Sequence, residues 1–323
     1  MIHNPLWLDK PYYSLHAFFK HTYGEKCYKI AIDGGFTCPN RDGTVGTGGC
    51  IFCSGSGSGD FSVPVCGQTS IREQLEAGLA LMGNKKTGSK FVAYFQAYTN
   101  TYGPISKLRR LYTEALETPD VIGISIATRP DCLGEEVLTL LSELKSIYSD
   151  KFIWVELGLQ TIHAGTAHYI RRGYDLSVFA EACSALHSLN IPFIVHVILG
   201  LPGETSNMML ETIDYVNSVT PFGVKLQLLH ILKGTDLAED YLSGKFTALT
   251  EDEYISILGA CIARLCPKTV LHRVTGDGPK SLLIAPLWSA NKRGVLNHLH
   301  HYLKENQLYQ GKDFHDSGTI NTL

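Results

Sequence analysis

Short, almost continuously apolar runs recur along the chain and alternate with longer stretches whose apolar positions fall three or four residues apart. The runs are YKIAID (28–33), FVAYFQAY (91–98), VIGISIAT (121–128), FIWVELGL (152–159), PFIVHVIL (192–199), VKLQLLHI (224–231) and, more weakly, TVLHRVTG (269–276). A strand buried on both faces of a parallel sheet reads this way. Between them lie helical patterns. TSIREQLEAGLALM (69–82) spaces Ile71, Leu75, Leu79 and Leu81 at roughly helical intervals. The segments 105–117, 135–147, 176–189 and 206–219 follow, and TEDEYISILGACIARL (250–265) opens with Thr250 and Glu253, the spacing of a capping box. Strand then helix, repeated about six times, implies βαβ units and an α/β fold with a parallel sheet, open or closed into a barrel.

In such folds chemistry collects at the carboxyl ends of the strands. The polar, Gly-rich or Pro-rich turns all fall there: a cysteine loop after the first strand, then QAYTNTYG, ATRPD, LGLQT, LGLPGET and ILKGT. Near residues 232–250 the repeat gives way to a mainly helical tail, so the expected organisation is an extension (1–27), a core (28–232) and a C-terminal cap (233–323).

Composition narrows the class. Hydrophobic content of 44% and charged content of 18% over 323 residues fit a soluble globular protein with a substantial core. A net charge of -3 gives no global basic field for nucleic acid, so any RNA contact needs a local patch. The first residues lack the pattern of a signal peptide, and no apolar run is long enough to span a bilayer. The expected compartment is the cytoplasm, with no membrane association. There, nine cysteines are reduced, and a cluster of them points to metal binding or catalysis before it points to disulfides.

That cluster is CPNRDGTVGTGGCIFC (38–53), which places Cys38, Cys50 and Cys53 in one glycine-rich loop. A structural zinc site takes four ligands. Only one knuckle is present, and Cys27 or Cys66 would have to supply the fourth thiol. A thioredoxin-like pair would open a helix, which the flanking glycines oppose. The third reading is an iron–sulfur cluster with three protein thiolates. It leaves one iron open to a small molecule. Gly43, Gly46, Gly48 and Gly49 would let the backbone wrap the cluster and aim N–H groups at its sulfurs.

The loop resembles the cluster-binding loop of the radical S-adenosylmethionine (SAM) superfamily, whose common spacing is C-x3-C-x2-C with an aromatic residue before the last cysteine. Phe52 takes that aromatic position, but eleven residues separate Cys38 from Cys50. A longer first gap typifies the branch that includes the Elongator catalytic subunit. AIDGGFTCPNRDGT, VELGLQT, IRRGYD, ILGLPGET, KLQLLHILKGT and HRVTGDGP extend the resemblance over nearly the whole chain. It implies a partial (β/α)6 barrel with a C-terminal helical cap. It also implies a [4Fe-4S] cluster on Cys38, Cys50 and Cys53, with SAM on the open iron. Reductive SAM cleavage would yield a 5′-deoxyadenosyl radical that takes a substrate hydrogen. A donor such as flavodoxin or ferredoxin would supply the electron.

The same resemblance implies SAM contacts. A Gly-Gly-Glu motif often follows the second strand in the superfamily. This chain has FQAYTN instead, where Gln96, Thr99 and Asn100 offer acceptors or cap the next helix. Glu156 and Gln160 share a strand face and would meet the ribose or carboxylate, with Arg172 as partner for a buried Glu156. The alternative is a structural ion pair. Gly200 and Leu201 would meet the adenine, while Gly203-Glu204-Thr205 would start a helix. Arg129 and Asp131 are placed to touch substrate.

The Elongator resemblance implies tRNA wobble uridine as substrate. An acetyl-transfer domain is not expected. Four cation clusters could form a phosphate-binding face or ordinary solvated helix faces: Lys85, Lys86 and Lys90; Lys107, Arg109 and Arg110; Arg171 and Arg172; Lys292 and Arg293. GSGSGDF (55–61) would be a lid or a solvated loop. His298 and His301 fit an exposed helix face, and Cys132, Cys183, Cys261 and Cys266 fit packing. Two other readings stand beside a tRNA-modifying radical SAM enzyme: one acting on a protein or small metabolite, and a non-catalytic metal-binding module.

Overall fold

The computed structural model describes residues 4–57, 59, 69–83, 88–276 and 278–315. Cys66, Lys85, Lys86 and part of the 55–61 loop lie outside the described residues. In chain order the elements are α1 (Leu15–Tyr23), β1 (Tyr28–Ile32), α2 (Ile71–Met82), β2 (Phe91–Phe95), α3 (Ile105–Glu117), β3 (Val121–Thr128), α4 (Glu135–Ile147), β4 (Phe152–Gln160), α5 (Ala164–Tyr169), α6 (Leu176–Ser188), β5 (Phe193–Leu199), α7 (Ser206–Ser218), β6 (Gly223–Leu228), β7 (Ile231–Leu232), α8 (Asp236–Leu242), α9 (Glu251–Arg264), β8 (Val270–Arg273), β9 (Leu283–Ala285) and α10 (Lys292–Glu305). The main sheet runs β1-β2-β3-β4-β5-β6-β8. Strands follow one another across the sheet in sequence order, and β1–β2, β2–β3, β3–β4 and β6–β8 pair in parallel. This is the expected α/β architecture, a partial (β/α)6 barrel with a C-terminal group of helices, and β8 adds a seventh strand.

The chain divides into two compact units built from interleaved stretches. One comprises Phe19–Gly158 and Gly173–Ile194. Every residue of β2 and β3 is buried, as continuous apolar runs require. Gly123 lies opposite Phe152 in the β3–β4 register, and a Cβ there would sit 2.4 Å from the Phe152 carbonyl oxygen, so only glycine fits. Aromatic packing fills the interior: Phe152 stacks on Trp154 at 3.9 Å, and Phe95 meets Tyr112 edge-on at 5.0 Å. Helix α2 starts at a reciprocal Ser70–Glu73 capping box. Lys145 Nζ caps the chain after α6 by donating to Leu189 O at 3.0 Å and Asn190 O at 2.8 Å.

The other unit comprises Met1–Phe18, Leu159–Arg172 and Val195–Leu323. Helix α9 is its hub, packed by α7 and α10. It opens on the anticipated capping box, with Thr250 and Glu253. Ser14 bridges Leu271 of β8 in parallel, and Leu271 N donates to Tyr13 O at 2.8 Å. The N-terminal residues thereby cover a sheet edge. Gln310 fastens this corner: it accepts from Tyr13 N at 2.9 Å and donates to Thr269 O at 2.8 Å. His298 Nδ1 lies 2.9 Å from Glu251 Oε1, and His301 Nε2 lies 3.0 Å from Glu305 Oε1. No helix among the described residues is long and apolar enough to cross a membrane.

Candidate functional site

The chain leaves β1 directly into the cysteine loop, which is a folded unit. Cys38 O accepts from Arg41 N at 2.8 Å and Asp42 N at 3.2 Å, and Pro39 O accepts from Val45 N at 2.8 Å. Gly49 N then closes back on Asn40 O at 2.8 Å, which returns Cys50 to the side of Cys38. Gly43, Gly48 and Gly49 take φ of 91°, 81° and 84°, so the return path needs residues without a Cβ. The eleven residues between Cys38 and Cys50 are thus a hydrogen-bonded turn that brings distant cysteines together. Cys53 N donates to Cys50 O at 2.9 Å.

None of the three cysteines is in a disulfide, and each is half-buried. Burial pushes Cys50 up to about 12, the neighbouring Cys53 and Cys38 add to the rise, and Asn40 and Arg129 oppose it. Asn40 Nδ2 donates to Cys50 Sγ at 3.6 Å. Arg41 Nη2 donates to Ser54 O at 2.6 Å and Cys53 O at 3.2 Å, pinning the chain just past the last cysteine. Its guanidinium lies over Tyr98, whose hydroxyl donates to Gly55 O at 2.6 Å. Among the described residues, no three His, Cys, Asp or Glu side chains converge as a single metal ion requires. A cubane does not ask for that convergence, because each thiolate binds a different iron.

At the end of β2, Gln96 is half-buried, while Thr99 and Asn100 are buried. They do not cap α3, which starts at Pro104 without a side-chain cap. Asn100 instead ties two strand ends together, its Nδ2 donating to Phe95 O at 3.1 Å and Ala127 O at 2.9 Å. Its Oδ1 is buried without a partner. Arg129 follows β3 and grips Asp131 with two bonds, of 2.9 and 2.6 Å, beneath the ring of Tyr174.

Glu156 is fully buried on β4. Its Oε1 accepts from Ser125 Oγ at 2.6 Å and from Lys29 Nζ at 2.5 Å. Lys29 is a counter-ion that sequence reasoning missed. The signal was available, a lone cation inside the apolar run of β1. Lys29 also lies 5.0 Å from the centroid of Tyr94 and 5.4 Å from that of Trp154, so aromatic faces offset part of its desolvation.

In the other unit, Gln160 ends β4 with φ of 64° and a buried Oε1 lacking a partner. A strained backbone beside an orphaned polar atom is a pattern associated with ligand sites. Arg172 is buried and donates to Thr161 O at 2.6 Å and Leu159 O at 3.0 Å, holding the turn after β4. Gly200 follows β5 at φ of 86° and donates to Met209 Sδ at 3.2 Å, and Leu201 is buried. Thr205 does cap α7. The Glu204 carboxylate accepts from Thr161 Oγ1 at 2.5 Å, and burial raises its pKa above the ordinary value.

The cation clusters are largely engaged. Lys107 donates to Gly35 O at 2.6 Å and covers Phe36. Arg109 pairs with Glu143 at 2.5 Å, and Arg171 pairs with Asp236. Both pairs are exposed, so each holds only about 0–1 kcal/mol and could yield to a phosphate.

Comparison with known proteins gives the family of the chain. Residues 41–216 match the radical SAM superfamily, and residues 221–305 match the radical SAM C-terminal domain. The chain is similar to protein YtqA of Bacillus subtilis, with 42% identity over 308 residues, 95% of this chain and 94% of that protein. It is 26% identical over 174 residues to the tRNA uridine(34) acetyltransferase of Methanocaldococcus jannaschii, 53% of this chain and 31% of that one. The archaeal Elp3 structure from Methanocaldococcus infernus superposes with a TM-score of 0.65 at 16% identity, over 88% of this chain and 64% of that one. The chain therefore spans less than two thirds of these last two proteins. It belongs to the radical SAM superfamily, in the branch related to the Elongator catalytic subunit.

Proposed function

We propose that the chain is a radical SAM enzyme in which Cys38, Cys50 and Cys53 hold a [4Fe-4S] cluster. The observation that carries this reading is the loop itself. Three reduced thiols are drawn together by a hydrogen-bonded turn whose only evident product is their proximity. The donor set is soft, sulfur-only and one short of the four thiolates that usually fill a cubane. When bound, the cluster supplies one-electron reduction of SAM, with an electron from a carrier such as flavodoxin or ferredoxin.

The chain's own groups would do the rest. Gln96, Thr99, Asn100, Glu156, Gln160, Arg172, Gly200 and Leu201 are proposed to shape the SAM site at the strand ends. Among the described residues, Asn100 Oδ1 in one unit and Gln160 Oε1 in the other are buried without a partner, so each calls for a donor. Lys29 and Ser125 hold the Glu156 carboxylate in place, and Arg172 fixes the carbonyls of the turn beside Gln160. For substrate we propose tRNA wobble uridine, supported by the likeness to a tRNA uridine(34) acetyltransferase. The test compares tRNA nucleosides from cells with and without the gene. Altered wobble uridines are expected, and an unchanged set refutes the tRNA assignment.

A further inference from the structure

We propose that Asn40 is a positioning residue that raises the reduction potential of the cluster, acting through its hydrogen bond to Cys50. The inference rests on the cluster reading above and adds a residue that the loop's cysteine spacing does not reveal.

Asn40 is 4% exposed, and its Nδ2 lies 3.6 Å from Cys50 Sγ. The side chain is held from two directions. Its own backbone oxygen accepts Gly49 N–H at 2.8 Å, which fixes the main chain beside Cys50. On the far side Gly173 closes against the amide. A Cβ on Gly173 would lie 2.5 Å from Asn40 Oδ1 and 3.3 Å from Arg129 Nη2. The amide oxygen and the guanidinium therefore share one small gap, and the amide nitrogen faces the sulfur. Turning the amide over would aim its oxygen at the thiolate and its NH2 at the cation, so electrostatics fixes the observed orientation. Gly173 takes φ of 79°, a conformation that favours glycine and keeps the gap tight.

A cluster gains negative charge when it is reduced. An N–H donor on a ligating sulfur stabilises the reduced form more than the oxidised one, so it raises the potential. With the cluster bound the acceptor would be a thiolate, so the bond would be charge-assisted, and it is buried, where such bonds are strongest. Losing it is expected to shift the reduction equilibrium about tenfold, which is about 59 mV for a one-electron couple. Asn40→Asp keeps the shape, removes the donor and adds a negative charge, so its drop exceeds that of Asn40→Ala.

The experiment reconstitutes the full chain anaerobically and measures iron, sulfide and midpoint potential by a redox titration monitored by electron paramagnetic resonance. Expected are full iron in both variants and potentials in the order wild type, Asn40→Ala, Asn40→Asp, from highest to lowest. Loaded variants with the wild-type potential overturn this inference and leave the cluster reading intact. Loss of iron from both variants while the wild type is loaded makes Asn40 a scaffold and overturns the tuning role. A wild type that takes up no iron overturns the cluster reading, and the inference falls with it.

Discussion

The Lys29–Glu156 pair gives the most direct energetic test of the interior. Glu156 is wholly buried and its lysine partner is 15% exposed, with 2.5 Å between Nζ and Oε1. Lys29→Met keeps most of the aliphatic stem but removes the ammonium that pairs with the buried carboxylate, while the Ser125 hydroxyl at 2.6 Å stays. Breaking a buried pair from one side costs about 3–5 kcal/mol, a large part of a typical total of about 5–15 kcal/mol. Replacing both partners by apolar groups removes the buried carboxylate along with its lysine, so Lys29→Met with Glu156→Leu should recover most of the loss. Trp154 reports locally, since it is buried, stacks on Phe152 and lies under Lys29. Urea unfolding followed by tryptophan fluorescence measures the wild type, Lys29→Met, Glu156→Leu and the double variant. A single variant losing under about 1 kcal/mol, or a double variant losing the sum of both singles, would refute the reasoning.

Other expectations follow from the same geometry. Asn100→Ala removes two buried side-chain hydrogen bonds, while Ala127 O keeps the backbone N–H of residue 100 at 3.1 Å, so thermal unfolding should show a loss of about 1–3 kcal/mol. Gly123→Ala drives a Cβ into the Phe152 carbonyl and should cost about 1–3 kcal/mol in the same assay, with no gain from the added methyl. Burial pushes Cys183 and Cys261 up to about 12, so both stay neutral thiols at pH 8. Iodoacetamide mass mapping should find them unlabelled in native protein and labelled after unfolding. Burial raises the Glu204 pKa, so the folded state holds that proton more tightly and the group costs stability as pH rises above the ordinary carboxyl value of 4.5. Glu204→Gln should therefore gain on the wild type as pH climbs from about 4 through the raised folded value. A constant difference across that window contradicts the assignment.

Much of the frame was legible because local signals agreed. The bounds of α3 and α4 coincide with their apolar periodicity, and α9 starts at its capping box. The strands ended where polar turns began, which placed the site at one edge. What escaped notice depends on partners far away in sequence. Tyr13 and Ser14 pair with β8 across more than half the chain, and nothing local marks residues 1–27 for that role. The cysteines announced themselves by spacing. Asn40 and Arg41 did not, because they act largely on backbone carbonyls and a sulfur that any loop could offer. Glu156 was correctly placed on a buried strand face, but Lys29 was read as part of an apolar run, and only the folded register sets it within reach of Glu156.

Iron and acid-labile sulfide analysis of anaerobically purified protein, beside Cys38→Ala, Cys50→Ala and Cys53→Ala, tests the central claim most directly. The account predicts about four of each per wild-type chain and their loss from every variant. A wild type carrying stoichiometric zinc without iron, or iron content indifferent to all three substitutions, contradicts it.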